Sequence, residues 1–308
     1  MCPTRALTMT LPMVWHPDYS IPQPEGHPFP MGKFTALGRW LTQAEMPHTR
    51  PSPAPWRALQ SVHEEHYLRA LASGHLDARA QRRIGFTCTV ELFERCRLET
   101  GGTLLAVDLA LQRGLACNAA GGTHHAHRDF GSGYCLLNDL AVAARFALDQ
   151  RDVQRVLIID LDVHQGDGTA ALLAGEPRAF TFSMHCGDNF PARKQHSDLD
   201  IALPRGTSDE GYLAELNTVL PWLLDSVSPD LVLYDAGVDV HIDDRLGHLH
   251  LTDAGLMARD VAVISACRER NIPTACVIGG GYDRDLTRLA ARHATVFRAA
   301  NTVLEELS

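Results

Sequence analysis

The chain has 308 residues, of which 45% are apolar and 21% are charged, a composition typical of a globular protein. No stretch approaches the roughly 18 consecutive apolar residues of a membrane span, so we expect no contact with a membrane. The net charge of −9 argues against a nucleic-acid-binding protein, which needs a basic face, and is compatible with a cationic substrate such as a lysine-bearing peptide or a polyamine.

Residues 1–56 are rich in proline and are predicted to be irregular, apart from one short helical run. Trp15, Tyr19, Phe29 and Phe34 favour a segment packed on the domain over a disordered tail. The first residues lack the continuous apolar core and the cleavage site of a signal peptide, so none is expected. Eight scattered cysteines without a CxxC motif indicate reduced thiols and a cytoplasmic location.

From residue 63 onward, helix-like and strand-like segments alternate. Helices are predicted at 63–74, 89–113, 140–150, 210–226, 253–271 and 285–307. Strands are predicted at 115–120, 156–163, 179–185, 199–203, 231–236 and 274–278. Nearly continuous apolar strands that alternate with helices predict a single α/β domain over residues 1–308, with a central, mostly parallel sheet flanked by helices.

Polar clusters follow five of the predicted strands. They read HHAHRD, DVHQGDG, SMH, GVD and GGGYD in chain order. Ligands of open α/β sheets bind in the crevice outside the carboxyl ends of the strands. We therefore expect these clusters to form one site at one edge of the sheet.

The segment DLDVHQGDG has the composition of a metal site. Asp160, Asp162 and His164 alternate, so on a strand continuing to residue 163 they would point to the same face. Burying three polar groups without partners would cost several kcal/mol of folding free energy for each group, and a bound cation relieves that cost. One histidine with carboxylates suits zinc best, and iron or manganese less well. A hydrogen-bonded network without metal is the alternative.

A catalytic zinc needs a third protein ligand and an open position for water. Asp239 is the best candidate, because it follows a buried strand and Gly237, whose backbone can approach closely. Asp235 lies inside the strand, where a structural hydrogen bond is the better expectation, and His241 competes as a ligand.

The adjacent His124 and His125 are then available to carry protons, since hydrolysis with a metal-activated water requires one proton to be removed and one to be delivered. Each imidazole needs an acceptor on its other nitrogen, and Asp160 and Asp167 are carboxylates at the same sheet edge. A satisfied loop pair without a catalytic role is the alternative. No role is expected for His127, two residues further along the loop.

Tyr282 follows three glycines in GGGYD, and no GxGxxG or GxxxxGK[ST] motif supports a nucleotide site. Its hydroxyl could donate to the oxyanion that forms when water attacks a carbonyl, although a packing role for the ring is an equal alternative. A cysteine hydrolase using Cys135 with His125 is a further alternative, but Cys135 precedes an apolar helix start and favours a place in the core.

Together these segments closely resemble the zinc-dependent histone deacetylase superfamily. The resemblance is carried by GGTHHAHRDFGSGYCLLND, VLIIDLDVHQGDGT, AFTFSMH, YDAGVDVHIDDRLGHLHLT and GGGYD, which occur in the family's order. HPFPMGKF and the HQG of DVHQGDG make the chain most similar to the class IV branch and its bacterial relatives. Gln165 stands where several classes have a second histidine, and the segment after Phe190 is shorter than in class I.

The resemblance implies an arginase/deacetylase fold with one zinc ion held by Asp162, His164 and Asp239. It also implies catalytic roles for five residues: His124, His125, Tyr282, Asp160 and Asp167. The substrate would be bound by Gly133, Tyr134, Phe190, Gly280 and Gly281. A structural potassium ion would be held by Asp160, Asp162, His164, Ser183 and Met184.

The expected function is removal of acetyl or longer fatty acyl groups from Nε-acyl-lysine of proteins or peptides. An acylpolyamine or small-molecule amide deacetylase is the first alternative, and a non-catalytic binding protein on the same scaffold is less favoured. A ureohydrolase with two manganese ions is disfavoured, because only one set of three converging ligands is present. The sequence does not indicate an oligomeric state.

Overall fold

A computed structural model describes residues 10–150 and 152–306. Its centre is a sheet of seven parallel strands in the order β1-β2-β7-β6-β3-β4-β5. The strands are β1 Met13–Val14, β2 Leu115–Asn118, β3 Val156–Asp160, β4 Ala179–Cys186, β5 Leu199–Leu203, β6 Leu231–Asp235 and β7 Thr274–Val277. Every residue of β2, β3, β6 and β7 is buried, as expected for strands covered on both faces. The α/β class and the parallel sheet flanked by helices are confirmed.

The helices are α1 Lys33–Gln43, α2 Trp56–Gln60, α3 Glu65–Ala72, α4 Ala78–Ile84, α5 Val90–Arg113, α6 Asp139–Leu148, α7 Asp167–Leu173, α8 Asp209–Val227, α9 Asp253–Glu269, α10 Leu286–His293 and α11 Thr295–Glu306. Several begin at side chains that accept a hydrogen bond from the first turn, namely Thr89, Asn138, Thr252 and Asp285. None of the helices in the described part of the chain combines the length and apolar character needed to cross a membrane.

The amino-terminal segment packs on the sheet from residue 10 onward. Tyr19 and Phe34 are buried in the hydrophobic core, and Trp15 and Phe29 pack against it. Met13 pairs with Cys117, so β1 adds an edge strand that the proline-rich sequence does not predict. Residues 1–9 of the predicted irregular segment lie outside the described residues.

Several predicted elements have different bounds in the structure. β3 ends at Asp160, because Asp160 Oδ1 accepts the Asp162 N–H at 3.2 Å and Asp162 Oδ1 accepts the His164 N–H at 2.9 Å. These side chain-to-backbone bonds turn the chain away from the sheet, so the strand-parity argument for Asp162 and His164 is wrong. The helix predicted at 285–307 divides into α10 and α11, and its last predicted residue lies outside the described range. Helix α7 was not predicted.

Candidate metal centre

Asp162 and His164, in the loop after β3, face Asp239, in the loop after β6. His164 Nδ1 lies 2.9 Å from Asp162 Oδ1 and 3.1 Å from Asp239 Oδ2. One donor atom from each residue lies within 4.8 Å of the others, and all three residues are buried. Adjacent parallel strands β3 and β6 end side by side, which brings two loops distant in sequence to one point.

The charges of this group fit a cation. Asp162 and Asp239 are 1% and 0% exposed, and two buried carboxylates this close repel each other. Burial and the charge of Asp162 raise the pKa of Asp239. Burial opposes protonation of His164, but hydrogen bonds to Asp162 and Asp239 raise its pKa to about 10. The two carboxylates thus require positive charge between them, which a divalent ion with oxygen and nitrogen ligands would supply.

The competing ligands lie elsewhere. Asp235 belongs to a second buried group, with His124 and Asp160. The buried His241 has its Nε2 atom 3.4 Å from Oδ1 of the exposed Asp253.

Both adjacent histidines have carboxylate partners. His124 Nδ1 lies 2.7 Å from Asp160 Oδ2, and His125 Nδ1 lies 2.6 Å from Asp167 Oδ1. The His125 ring centroid is 4.1 Å from that of His124 and 5.7 Å from that of His164. Both rings are thus oriented through Nδ1, and His124 Nε2 lies 3.8 Å from Asp162 Oδ1 of the metal-ligating group.

The two histidines differ in charge. Burial opposes protonation of His124, but the carboxylates of Asp160 and Asp162 raise its pKa well above the usual value. Burial and the neighbouring His124 lower the pKa of His125 to about 4, against the opposing effect of Asp167. The surroundings thus favour the protonated form of His124 and the neutral form of His125.

Tyr282 borders the same group. Its ring centroid lies 6.5 Å from that of His164, with the ring planes perpendicular. Burial, Asp239 and Asp162 raise the pKa of Tyr282 well above its ordinary value, so its hydroxyl remains a donor. The backbone N–H of Tyr282 donates to Asp244 Oδ2 at 2.7 Å, which ties its loop to the one that carries Asp239.

Two of the expected substrate-binding residues, Gly133 and Phe190, lie against His125, and a third, Tyr134, lies near Tyr282. Gly133 has a φ of 51°, and a side chain at this position would meet the His125 ring. The half-exposed Phe190 packs edge-on against His125 at 4.8 Å between centroids. Tyr134 lies 5.9 Å from Tyr282 between ring centroids. Aromatic rings thus lie next to His125 and next to Tyr282.

Gly280 and Gly281 contact buried residues of the protein itself. The Gly280 N–H donates to Asp162 Oδ2 at 2.7 Å, so its donor is engaged by a candidate metal ligand. Gly281 packs against Val238 and the buried ring of His293. Their contact with substrate stays a prediction.

The expected potassium ligands are brought together only in part. Asp160 and Ser183 are partners in the pairing of β3 with β4, and Met184 follows on β4. Ser183 Oγ lies 3.0 Å from His185 Nδ1. The potassium ion stays a prediction.

Sequence reasoning missed four residues near the site. Phe29 and Phe86 pack around Tyr134, with ring centroids at 5.4 and 5.5 Å. Lys33 is buried and donates from Nζ to the Gly279 carbonyl at 3.1 Å, and burial lowers its pKa to about 8. HPFPMGKF contains Phe29 and Lys33, yet its residues carry no periodicity that would show which of them face the site.

Gln165, the fourth, joins the candidate site to the loop that carries Phe190. Its Nε2 donates to the Gln195 carbonyl and to Asp200 Oδ1, both at 2.8 Å, while its Oε1 accepts the Gln195 N–H at 2.8 Å. An amide can donate and accept at once in this geometry, whereas a neutral imidazole has its donor and acceptor on opposite sides of the ring.

Asp235 contradicts the expectation of a structural hydrogen bond. Both of its carboxylate oxygens are buried and have no hydrogen-bond partner among the described residues. Burial and the nearby Asp160 raise its pKa well above the usual value. The strand position predicted burial correctly, but it could not show that the backbone of Gly122 and Gly279 would fill the space around the carboxylate.

The comparisons with known proteins agree with this geometry. The model of the histone deacetylase domain matches residues 27–298. An uncharacterized protein of Picosynechococcus sp. is 50% identical over 96% of this chain and 100% of its own length. Histone deacetylase 2 of Arabidopsis thaliana is 32% identical over 86% of this chain and 72% of its own length. Histone deacetylase 1 of Homo sapiens is 32% identical over 76% of this chain and 52% of its own.

The fold is also similar to a solved structure. A crystal structure of the HDA15 HD domain matches with a TM-score of 0.77 at 20% identity, covering 95% of this chain and 90% of that chain. The family is generally zinc-dependent, which agrees with the buried group of two aspartates and one histidine. The domain match and the curated relatives show that this chain belongs to the histone deacetylase family.

Proposed function

We propose that this protein is a zinc-dependent amidohydrolase that removes acyl groups from the Nε atom of acyl-lysine in proteins or peptides. The observation that carries the proposal is the convergence, in one buried place, of Asp162, His164 and Asp239 with two carboxylate-paired histidines. Zinc held there would supply a Lewis acid that polarises the acyl carbonyl and lowers the pKa of the attacking water.

The residues of this chain divide the proton chemistry between them. His125 is neutral and held at Nδ1 by Asp167, so its Nε2 can accept a proton from water and deliver it to the amine that leaves when the amide C–N bond breaks. His124, held by Asp160, places a positive charge beside the developing negative charge. The Tyr282 hydroxyl would donate to the carbonyl oxygen as it becomes an oxyanion.

The substrate passage is proposed to run between Tyr134 and Phe190, where an aliphatic lysine stem would be enclosed by aromatic rings. The segment after Phe190 is short, and the backbone of Gln195 in it is hydrogen-bonded to the Gln165 side chain. Both features support a class IV-like enzyme that accepts acetyl or longer acyl groups. The described cysteines are free and buried, which fits the proposed cytoplasmic location.

The test is an assay of the pure, zinc-loaded protein against peptides carrying acetyl- to myristoyl-lysine, alongside acetylated polyamines. The proposal expects release of free lysine peptide, inhibition by a zinc chelator and resistance to iodoacetamide. Turnover of the polyamines alone would replace the lysine assignment with the acylpolyamine alternative. No hydrolysis of any amide by protein that holds one zinc per chain would contradict the proposal.

A further inference from the structure

His127, for which the sequence predicts no role, touches the carboxylate that orients His125. His127 Nε2 lies 3.1 Å from Asp167 Oδ2, while His125 Nδ1 lies 2.6 Å from Asp167 Oδ1. One buried carboxylate thus joins two histidines of the same loop, one through each oxygen. In the part of the chain that the structure describes, each oxygen of Asp167 has one of these histidines as its hydrogen-bond donor.

The ring of His127 is held firmly. It stacks on Phe130 at 4.3 Å between centroids with 19° between the planes. The His127 N–H donates to the Phe130 carbonyl at 2.8 Å, and its own carbonyl lies 2.9 Å from His63 Nδ1. These contacts fix the direction of Nε2 without involving any residue of the metal-ligating group.

We propose that His127 is a positioning residue, which fixes the plane of the Asp167 carboxylate and through it the orientation of His125. This inference rests on the proposed function of His125 as the base. A carboxylate held at one oxygen alone can rotate about its Cβ–Cγ bond, whereas a donor at each oxygen sets both its plane and the line along which it accepts from His125. A buried oxygen left without a donor would also be costly.

The electrostatics of Asp167 agree with this geometry. Burial raises the pKa of Asp167, but the hydrogen bonds from His125 and His127 outweigh it and hold the pKa well below the usual range. The carboxylate is therefore charged and can only accept, so both imidazoles present an N–H to it. With its Nδ1 proton fixed in this way, neutral His125 has its Nε2 lone pair free for the reacting water.

The test compares His127→Gln with His127→Asn. Both replace the imidazole with a neutral amide, but only glutamine is long enough to place an N–H where Nε2 stands. We expect kcat of His127→Gln within about three-fold of wild type, and a kcat of His127→Asn reduced roughly ten-fold with KM unchanged. Melting temperature and zinc content, measured on both, show whether either change acts through the fold.

A double-mutant cycle separates positioning from structural damage. In the background of Asp167→Asn, His127→Asn is expected to change kcat by less than about two-fold, because its effect passes through the Asp167 carboxylate. The same ten-fold loss in both backgrounds, wild-type kcat in His127→Asn, or equal losses in the two amide variants would overturn the proposal.

A spectroscopic measurement keeps this inference distinct from the proposed function. The short bond between His125 Nδ1–H and Asp167 predicts a downfield proton resonance in protein labelled with ¹⁵N-histidine. We expect this resonance to persist in His127→Gln and to move upfield or broaden in His127→Asn, whether or not the protein hydrolyses acyl-lysine. An unchanged resonance in His127→Asn would refute the positioning role by itself.

Discussion

Tyr282 illustrates how burial prepares one side chain for one role. Its phenol is surrounded by the carboxylates of Asp162 and Asp239 and by aromatic rings, so loss of its proton would add a third buried negative charge. The raised pKa keeps the hydroxyl as a donor over the whole working range of pH. A group in this state can stabilise a developing oxyanion and cannot act as a base.

We therefore expect Tyr282→Phe to lower kcat by roughly 10²- to 10³-fold, as for other lost oxyanion donors, while the zinc content stays at that of the wild type. Steady-state kinetics and metal analysis on the same preparation check both parts. Tyr67→Phe is a control, because its hydroxyl donates to the Leu136 carbonyl and its loss should affect stability rather than kcat. Wild-type kcat in Tyr282→Phe would show that the ring serves packing alone.

The turn after β7 packs directly against the candidate metal ligands. Gly280 donates its N–H to Asp162 Oδ2, and a methyl group at this position would overlap Asp239 Oδ2 and lie 2.6 Å from Asp162 Oδ2. A glycine is required here because the two carboxylates occupy the volume that a side chain would need. Three loops, after β3, β6 and β7, thus depend on one another.

Gly280→Ala is expected to weaken zinc binding by about 10- to 100-fold, because the two carboxylates must move apart to admit the methyl group. Competition with a fluorescent zinc chelator measures the affinity directly. Gly187→Ala is the matched control, since a methyl group there would meet Ala202 Cβ at 3.6 Å, an ordinary contact. Equal zinc affinity in the two variants would contradict the tight packing of the turn.

Stability of the folded chain is linked to the neutral state of a buried histidine, His63, which contacts the loop that carries His124 and His125. His63 Nε2 accepts the Asn138 N–H at 3.0 Å, and its Nδ1 must then donate to the His127 carbonyl, which can only accept. Burial lowers the pKa of His63 to about 4, against hydrogen bonds that favour the charged form. The unfolded chain, with an ordinary histidine pKa near 6.5, binds this proton first.

Because the unfolded chain binds the proton at a higher pH than the folded chain, acid favours unfolding. Stability that His63 contributes is fully present above about pH 6.5 and is lost as the pH falls towards 4, by up to about 3 kcal/mol. Urea unfolding at a series of pH values should show this loss in the wild type and a smaller loss in His63→Gln, whose amide does not titrate. The same dependence on pH in both proteins would show that other groups cause it.

The sequence by itself determined the fold class and the chemistry of the candidate site. Apolar strand-like runs alternating with helices require a covered parallel sheet, and polar clusters after the strands require one shared edge, because the carboxyl ends of parallel strands coincide. Asp160 and Asp167 were predicted to lie at that edge as possible acceptors for the two histidines, and they lie 2.7 Å from His124 Nδ1 and 2.6 Å from His125 Nδ1; the structure decides which carboxylate serves which histidine.

Only the tertiary structure decided which side chains contact one another. Asp162 and His164 meet Asp239 through loops and not through strand parity. Among the described residues the Asp235 carboxylate has no hydrogen-bond partner, and β1 pairs with β2 at the edge of the sheet. His127 shows the physical reason most clearly. His125, two residues before it, is the proposed base, but the proposed role of His127 depends on Asp167, 40 positions away, and no local sequence pattern shows which oxygen of a distant carboxylate a histidine will meet.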